Sequence, residues 1–367
     1  MSTLQVNTIN AATSGQAVAV DIQNPRTFRN LIINGAMQVA QRGNSTSVGT
    51  SGYYGPDRFK YAETSDAVFS ISKSTESPDG FSSSYHMDCT TADTSVAATD
   101  YARILTFLEG QDVQAFAKGT SSAKKGVLSF YVKTNKTGTY SLFYFDSDNN
   151  RQFNATYTVS DSNWNRYTIE IPADTTGALT SDNNASIEIY WHLVAGSNRT
   201  TGSLDATWNT YTGTKEAAGH NVNFADSTSN DFYITGVQLE VSDYATDFEH
   251  RSYADELRRC QRYFRRDGGG QYTGYGVGLI NANSGGVWTM PLDPPMRAAP
   301  TVTNVGNVRI YDGSANANVT GWNTNRSTVK NFWIEPTTGS TSFTAGRAFL
   351  VGNNNDTSGY LNLSAEL

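Results

Sequence analysis

Between Leu31 and Glu249 apolar side chains keep returning at every second position, in one short run after another. Successive side chains on a pleated strand point to opposite faces, so this period belongs to strands buried on one side. In "VLSFYVK" Leu128, Phe130 and Val132 share a face, and in "TYSLFYF" Tyr140, Leu142 and Tyr144 alternate with Ser141, Phe143 and Phe145. The intervening "TNKTG" reads as the turn of a hairpin. "RYTIEI" groups Tyr167, Ile169 and Ile171, and "SIEIYWHLV" groups Ile187, Ile189, Trp191 and Leu193. In "DFYITGVQLE" the alternation of Phe232 and Ile234 changes phase at Gly236 and resumes at Val237 and Leu239. A glycine at a phase change marks a bulge, where one extra residue turns the following side chains over. Strands of this kind, parted by Ser, Asn, Gly and Asp, predict a jelly-roll β-sandwich.

One stretch breaks the pattern. "LEVSDYATDFEHRSYADELRRCQRYFRR" (239–266) passes from a strand into a helical stripe of Tyr253, Leu257, Cys260 and Phe264. Ser252 with Asp255 three residues on forms a capping-box variant, acidic residues follow in the first turn, and "DGGGQ" ends the run. A helix of about four turns is too short to stand alone, so its stripe must pack on a domain or on copies of itself. Six arginines lie between Arg251 and Arg266, suited to a neighbouring domain or chain. Beyond it, runs such as "GVWTMPL" and "RAFLVG" return to β-structure, while the prolines of "PLDPPMRAAPTVTNVG" suit an edge or a crossing. The expected order is an extended arm (1–30), a jelly roll (31–249), a linker helix (250–268) and a smaller C-terminal β-sandwich (269–367).

Composition narrows the function classes. Charged residues make up only 17%, against 12% aromatics, which suits β-sandwiches and surface binding. A net charge of −7 gives no basic footprint for nucleic acid. No apolar run reaches membrane-spanning length, so no membrane insertion is expected. "MSTLQVNTIN" has neither the basic nor the apolar region of a signal peptide. The two cysteines, Cys89 and Cys260, give no disulfide framework or metal spacing. The chain thus combines cytoplasmic synthesis with the composition of an extracellular adhesin.

A resemblance reconciles the two. "NLIINGAMQVAQRG" (30–43), "YGPDRFKY" (54–61), "KGVLSFYVK", "WNRYTIEIPADTTG", "FYITGVQLEVSDYATDFEHRSYADELRRCQRYF" and "PPMRAAPTVT" occur in the order in which they resemble segments of phage and prophage tail-fibre proteins. "MSTLQVNTIN" resembles the N-termini of structural proteins from phages of marine cyanobacteria. The resemblance implies a virion appendage, made in the bacterial host cytoplasm, whose main domain is similar to the galactose-binding-like jelly rolls of carbohydrate-binding modules. It implies a homotrimer, docked through its N-terminal arm to tail or capsid proteins, with host-surface polysaccharide or lipopolysaccharide as partner. The family has no single catalytic motif, so no catalytic residue is carried over.

The residues themselves offer little for an enzyme. The four histidines form no metal-ligand spacing, and no GxSxG elbow or P-loop is present. "DGGGQYTGYGVG" follows a helix, not a strand, and so reads as no phosphate cradle. No cofactor is expected; a structural calcium ion stays open, with "DSDNN" (146–150) as its oxygen-rich candidate and a solvated loop as the alternative. Sugars need aromatic faces beside planar polar groups in a shallow groove. Tyr190 and His192 fall opposite Ile189 and Trp191, on a face that either forms such a cleft or meets solvent or another chain. Trp208 and Tyr211, in "TWNTYTGT", either line it from a loop or fold back on the sandwich. Trp164 is expected in the core, and Arg58 is expected to pair with Asp57 or a backbone carbonyl. The sequence reading is a glycan-binding appendage without catalysis; a purely structural virion part and a polysaccharide depolymerase are the alternatives.

Overall fold

The computed structural model describes residues 29–282, 284–339 and 343–367. The arm expected over 1–30 lies outside these except for Arg29 and Asn30.

The alternating runs fold into a jelly-roll sandwich of two antiparallel sheets. One has six strands in the order Ser45–Val48, Val68–Ser74, Ser84–Thr91, Asp231–Glu240, Gly126–Thr134 and Asn165–Ile171. The other has seven, Asn209–Thr210, Arg151–Val159, Gly138–Asp146, Ala185–Ala195, Tyr101–Glu109, Lys60–Glu63 and Gly52–Tyr53. Between them lie the apolar faces read from the sequence, centred on Trp191, which meets Phe130 edge-on at 5.8 Å and Phe59 at 6.4 Å. Gly236 makes the expected bulge. Its φ is +62°, and the pairing with Gly126–Thr134 slips between Thr235 and Gln238. The slip keeps Phe232, Ile234, Val237 and Leu239 all inside. The expected hairpin at "TNKTG" is not one: Gly126–Thr134 belongs to the six-stranded sheet and Gly138–Asp146 to the seven-stranded sheet. Both strands bury their apolar faces against each other from opposite sheets, so the link crosses the sandwich edge.

The linker helix spans Tyr253–Gln261, capped by the Ser252 hydroxyl, which accepts from the Asp255 amide at 3.1 Å. It is shorter than its stripe. Phe264 already belongs to a strand, Phe264–Gly268, which joins Tyr360–Ser364 and Thr301–Val305 in a three-stranded sheet. The other six C-terminal strands close on themselves as a barrel, in the order Gly274–Ala282, Gly285–Pro291, Asn331–Thr338, Asn316–Asn323, Val308–Tyr311 and Ala348–Asn353. The C-terminal β-domain, expected as a smaller sandwich, thus sets a closed barrel, which has no edge strands, beside a three-stranded sheet.

The helix clamps the two domains together. Arg262 donates to both carboxylate oxygens of the fully buried Glu109, at 2.8 and 2.7 Å, and Tyr263 donates to the same group. Arg58, expected to pair with Asp57 or a backbone carbonyl, donates to the Phe107 carbonyl at 2.9 Å and also to Glu366 at 2.7 Å, with its guanidinium 3.4 Å from the Tyr263 ring centre. Tyr53 donates to the Leu367 carbonyl, and Arg297 to those of Asn183, Ala365 and Glu366. Arg251 reaches back to the carbonyls of Asn30 and Ile32. Cys260 is wholly buried, Phe264 lies under Arg42 at 3.5 Å, Leu257 is half-buried, and Tyr253 is exposed. Of the packings expected for the stripe, on a domain or on copies of the chain, its inner half, Cys260 and Phe264, takes the first within the chain.

Candidate functional site

The outer face of the seven-stranded sheet carries rows of side chains set by register. Lys60, Leu105, Tyr190, Phe143 and Asn154 face one another across five strands. Beside them run Phe107, Glu188, Phe145 and Gln152, and on the other side Ala62, Arg103 and His192. Aromatic residues at outward positions make this face unlike an ordinary solvated sheet. Tyr190 lies 5.3 Å from Phe143 and donates to Glu188, while Phe145 meets Tyr211 edge-on at 5.2 Å. The Arg103 guanidinium lies over both Tyr101 and Tyr190, at 4.4 and 4.2 Å from their ring centres.

Residues 196–226 roof one half of this face. The roof is pinned by Glu216, which accepts from Arg103, from Arg199 at 3.0 Å and from the Tyr211 hydroxyl at 3.1 Å. Thr212 and Lys215 add backbone bonds to Gln152 and Asn154. The half left open presents Lys60, Phe107, Glu188, Phe145 and Tyr211, all half-buried. Burial raises the pKa of Glu188, against the Tyr190 hydrogen bond and the nearby Arg103 and Lys60, which lower it.

The candidates thus part company. Tyr211 stands on the open half, and Tyr190 lies beneath it with its ring mostly covered. His192 is a correction. It is fully buried under the roof, 3.8 Å from Glu216, and burial holds its pKa well below the usual imidazole range. No sugar hydroxyl reaches it there. Trp208 takes the second of its two expected places, folded back on the sandwich and away from the site. Its ring packs near Phe153 in the sandwich core, and its indole N–H donates to the Pro172 carbonyl at 2.9 Å. Sequence reasoning passed over Phe107 and Phe145, although outward aromatics in alternating runs were a readable signal. It also placed Trp164 in the core, whereas the ring is half-exposed on the opposite sheet.

The "DSDNN" oxygens already hold a cation of the chain's own. The Lys118 ammonium donates to Asp146 and to the carbonyls of Thr176 and Gly177 at 3.0 and 3.1 Å, and pairs with the Asp174 carboxylate at 2.9 Å. Asn149 takes up both oxygens of Asp146 as well. Among the described residues no group of three or more His, Cys, Asp or Glu side chains is placed to hold a metal ion. Nor is any described helix long and apolar enough to cross a membrane.

No family model matches the chain, and no curated protein matches it. Among solved structures it is similar to the enzymatically active domain of tailspike protein 4 of bacteriophage CBA120, at 11% identity and a TM-score of 0.30, over 58% of this chain and 22% of that one. It is similar to the family 11 carbohydrate-binding module of a Clostridium thermocellum cellulase, at 12% identity and a TM-score of 0.29, over 57% and 98% of the two chains. It is also similar to a xylan-binding domain from Paenibacillus barcinonensis, at 13% identity and a TM-score of 0.27, over 55% and 94%. Likenesses of this depth carry no argument about what this chain binds; the site rests on its own geometry.

Proposed function

We propose that this chain is a non-enzymatic glycan-binding appendage of a phage particle. It holds host-surface polysaccharide or lipopolysaccharide on the open half of the seven-stranded sheet. One observation carries the reading: Phe107, Phe145 and Tyr211 stand together on an outward sheet face, beside Lys60 and Glu188. Ring faces accept the apolar C–H patches of a sugar, and planar polar groups accept or donate to its hydroxyls. The carboxylates here are already engaged, Glu188 by Tyr190 and Glu216 by Arg103, Arg199 and Tyr211, which suits holding a ligand better than transferring protons. In this reading residues 1–30 dock to tail or capsid proteins, and the chain works as a homotrimer on the virion.

A glycan array of bacterial surface polysaccharides tests it, with Tyr211→Ala as the control. Binding that weakens by about 1–3 kcal/mol in the variant is expected if its ring stacks on the sugar. An array without hits would leave the purely structural virion part as the reading. Release of reducing ends from a bound polysaccharide would turn it to a depolymerase.

A further inference from the structure

The six-stranded sheet carries a cleft on its own outer face, on the far side of the sandwich from the aromatic shelf. Ser72, His86, Tyr233 and Lys133 face one another across four neighbouring strands. The rings of His86 and Tyr233 lie parallel, 4.2 Å apart. Trp164, just before the strand Asn165–Ile171, stands edge-on to Tyr233 at 6.2 Å. Between the strands Val68–Ser74 and Ser84–Thr91, Glu76 rises beside them. One of its carboxylate oxygens accepts from both the Trp164 indole N–H at 3.2 Å and the Lys133 ammonium at 2.8 Å. Asp231 forms the other wall, 2.6 Å from His86 Nε2. Trp164 and His86 flank Tyr233 without lining the cleft itself. Lined by Glu76, Lys133, Asn135, Ser162, Asp231 and Tyr233, the cleft is open to solvent and has a volume of about 240 Å³. That is below the roughly 300–1,000 Å³ of sites for drug-sized ligands and suits a single ring-sized unit.

From this geometry we propose a second saccharide site, taking one non-acidic sugar unit, between Lys133, Tyr233 and Asp231, with Trp164 at its margin beside Tyr233 and Glu76. It goes beyond the glycan reading of the shelf, because its own chemistry carries it. Two half-exposed rings and an imidazole cluster where a solvated sheet would hold small polar residues, and the ring surface they leave in water is a standing cost that a ligand removes. Their orientation is fixed in advance, since Glu76 ties Trp164 to Lys133 and Asp231 ties His86, so a ligand bears little cost of ordering them. Hydrogen-bonding capacity is left over. The Tyr233 hydroxyl and the second carboxylate oxygens of Glu76 and Asp231 have no hydrogen-bond partner among the described residues. Asp231 also faces Asp88 directly across the strand pair, a like-charge juxtaposition that costs stability on a sheet face. The charge balance sets the ligand class. Glu76, Asp231 and Asp88 outnumber Lys133, so uronates and phosphorylated sugars are repelled, while the hydroxyls of a neutral sugar or the ammonium of an amino sugar are welcomed. A shelf and a cleft on opposite faces would let one chain hold two glycan strands, a gain through effective concentration and not through new contacts.

The test uses the full chain with its tryptophans 15N-labelled, the Trp164 indole resonance assigned through Trp164→Phe. Glucose, galactose, N-acetylglucosamine, glucosamine and glucuronic acid are titrated separately to high millimolar concentration. A saturable shift of the Trp164 resonance is expected with at least one of the first four, and at least tenfold weaker binding with glucuronic acid. Tyr233→Phe, which keeps the ring, and Asp231→Asn should each weaken the response several-fold, and Tyr211→Ala on the shelf should leave it unchanged. No Trp164 shift with any of the four non-acidic sugars overturns the proposal, whatever the shelf does. So does a response lost in Tyr211→Ala but kept in both cleft variants, or glucuronic acid binding as well as glucose.

Discussion

Lys118 shows how one side chain can take a role that sequence assigns to an ion. Two carboxylates and two carbonyls converge on its ammonium, an oxygen set that a hard cation would also accept. Lys118→Ala should leave Asp146 buried without its charge partner, at a cost of about 3–5 kcal/mol. Millimolar calcium should recover part of that loss, and a chelator should leave the wild type unmoved; thermal melts with and without calcium check both. His220 makes a second case. Its Nδ1 accepts from the Ser141 amide and its Nε2 lies 2.7 Å from the Val222 carbonyl, so the neutral ring is fully used. Burial lowers its pKa to about 4, against 6.5 for the free ring. In that window the unfolded chain binds more protons than the folded one. This contribution is therefore complete above pH 6.5 and lost as pH falls toward 4, by about 3 kcal/mol. Urea midpoints at pH 7 and 4.5 should fall further apart for the wild type than for His220→Gln. At this scale the sequence was legible only in part. Tyr190 could be assigned to the outward face by alternation alone, but the burial of Trp208 depends on where residues 196–226 fold back and on the Pro172 carbonyl that receives its indole. No local pattern carries that.

Among elements, the strands were the easiest to read, because a half-buried sheet writes its period directly into the side chains. What period two cannot tell is which sheet a strand joins, and so "TNKTG" looked like a hairpin while it in fact crosses between sheets. The helix ends early for a related reason. Phe264 fits the helical stripe by spacing, but its backbone pairs with Ser364, and Arg265 pairs with Leu363, partners that lie about a hundred residues further on. The short helix is held by its ends and not by its own length. Arg262 is its outer anchor, on a Glu109 that no solvent reaches. Arg262→Met should strand that carboxylate and cost about 3–5 kcal/mol. The loss should fall on the domain junction, so calorimetry should resolve two transitions where the wild type gives one. A single transition at an unchanged temperature would mean that the remaining contacts, led by Arg58 with Glu366, already suffice.

For the whole molecule the question is how weak sugar sites become firm attachment. In the proposed reading multivalency supplies it, with avidity gains of roughly 10²–10⁴ when copies engage together. For the proposed trimer the helix stripe leaves only Tyr253 exposed, and the barrel carries a wider apolar row that we propose as the seam. Val277, Leu350 and Tyr311 lie opposite one another on three paired strands, with Leu279 beside them; Val277 is 66% exposed and Leu279 53%. Arg309 stands at one end of the row, 5.3 Å from the Tyr311 ring centre; the apolar remainder is covered best by another like it, and each copy of the chain brings one. Light scattering should give a trimer mass, and Leu279→Asp should shift it toward the monomer; a monomer for the wild type at every concentration would remove the seam. In the proposed reading the N-terminal segment is the other half of attachment. Its sparse apolar residues, Leu4, Val6 and Ile9, cannot build a core but can order on a docking surface, where the ordering cost is met only on binding. Arg29 and Asn30, where the described chain begins, are held at the domain junction through Asp247, Glu249 and Arg251, away from the strands that carry the shelf. Protein lacking residues 1–28 should therefore fold, assemble and bind host cells as before, yet fail to enter virions. Given to cells ahead of the phage, it should compete for receptor, so that free phage rise with dose until adsorption stops. If adsorption is unchanged at saturating protein of intact fold, these faces do not carry host recognition, and the chain is a structural part that supports another adhesin.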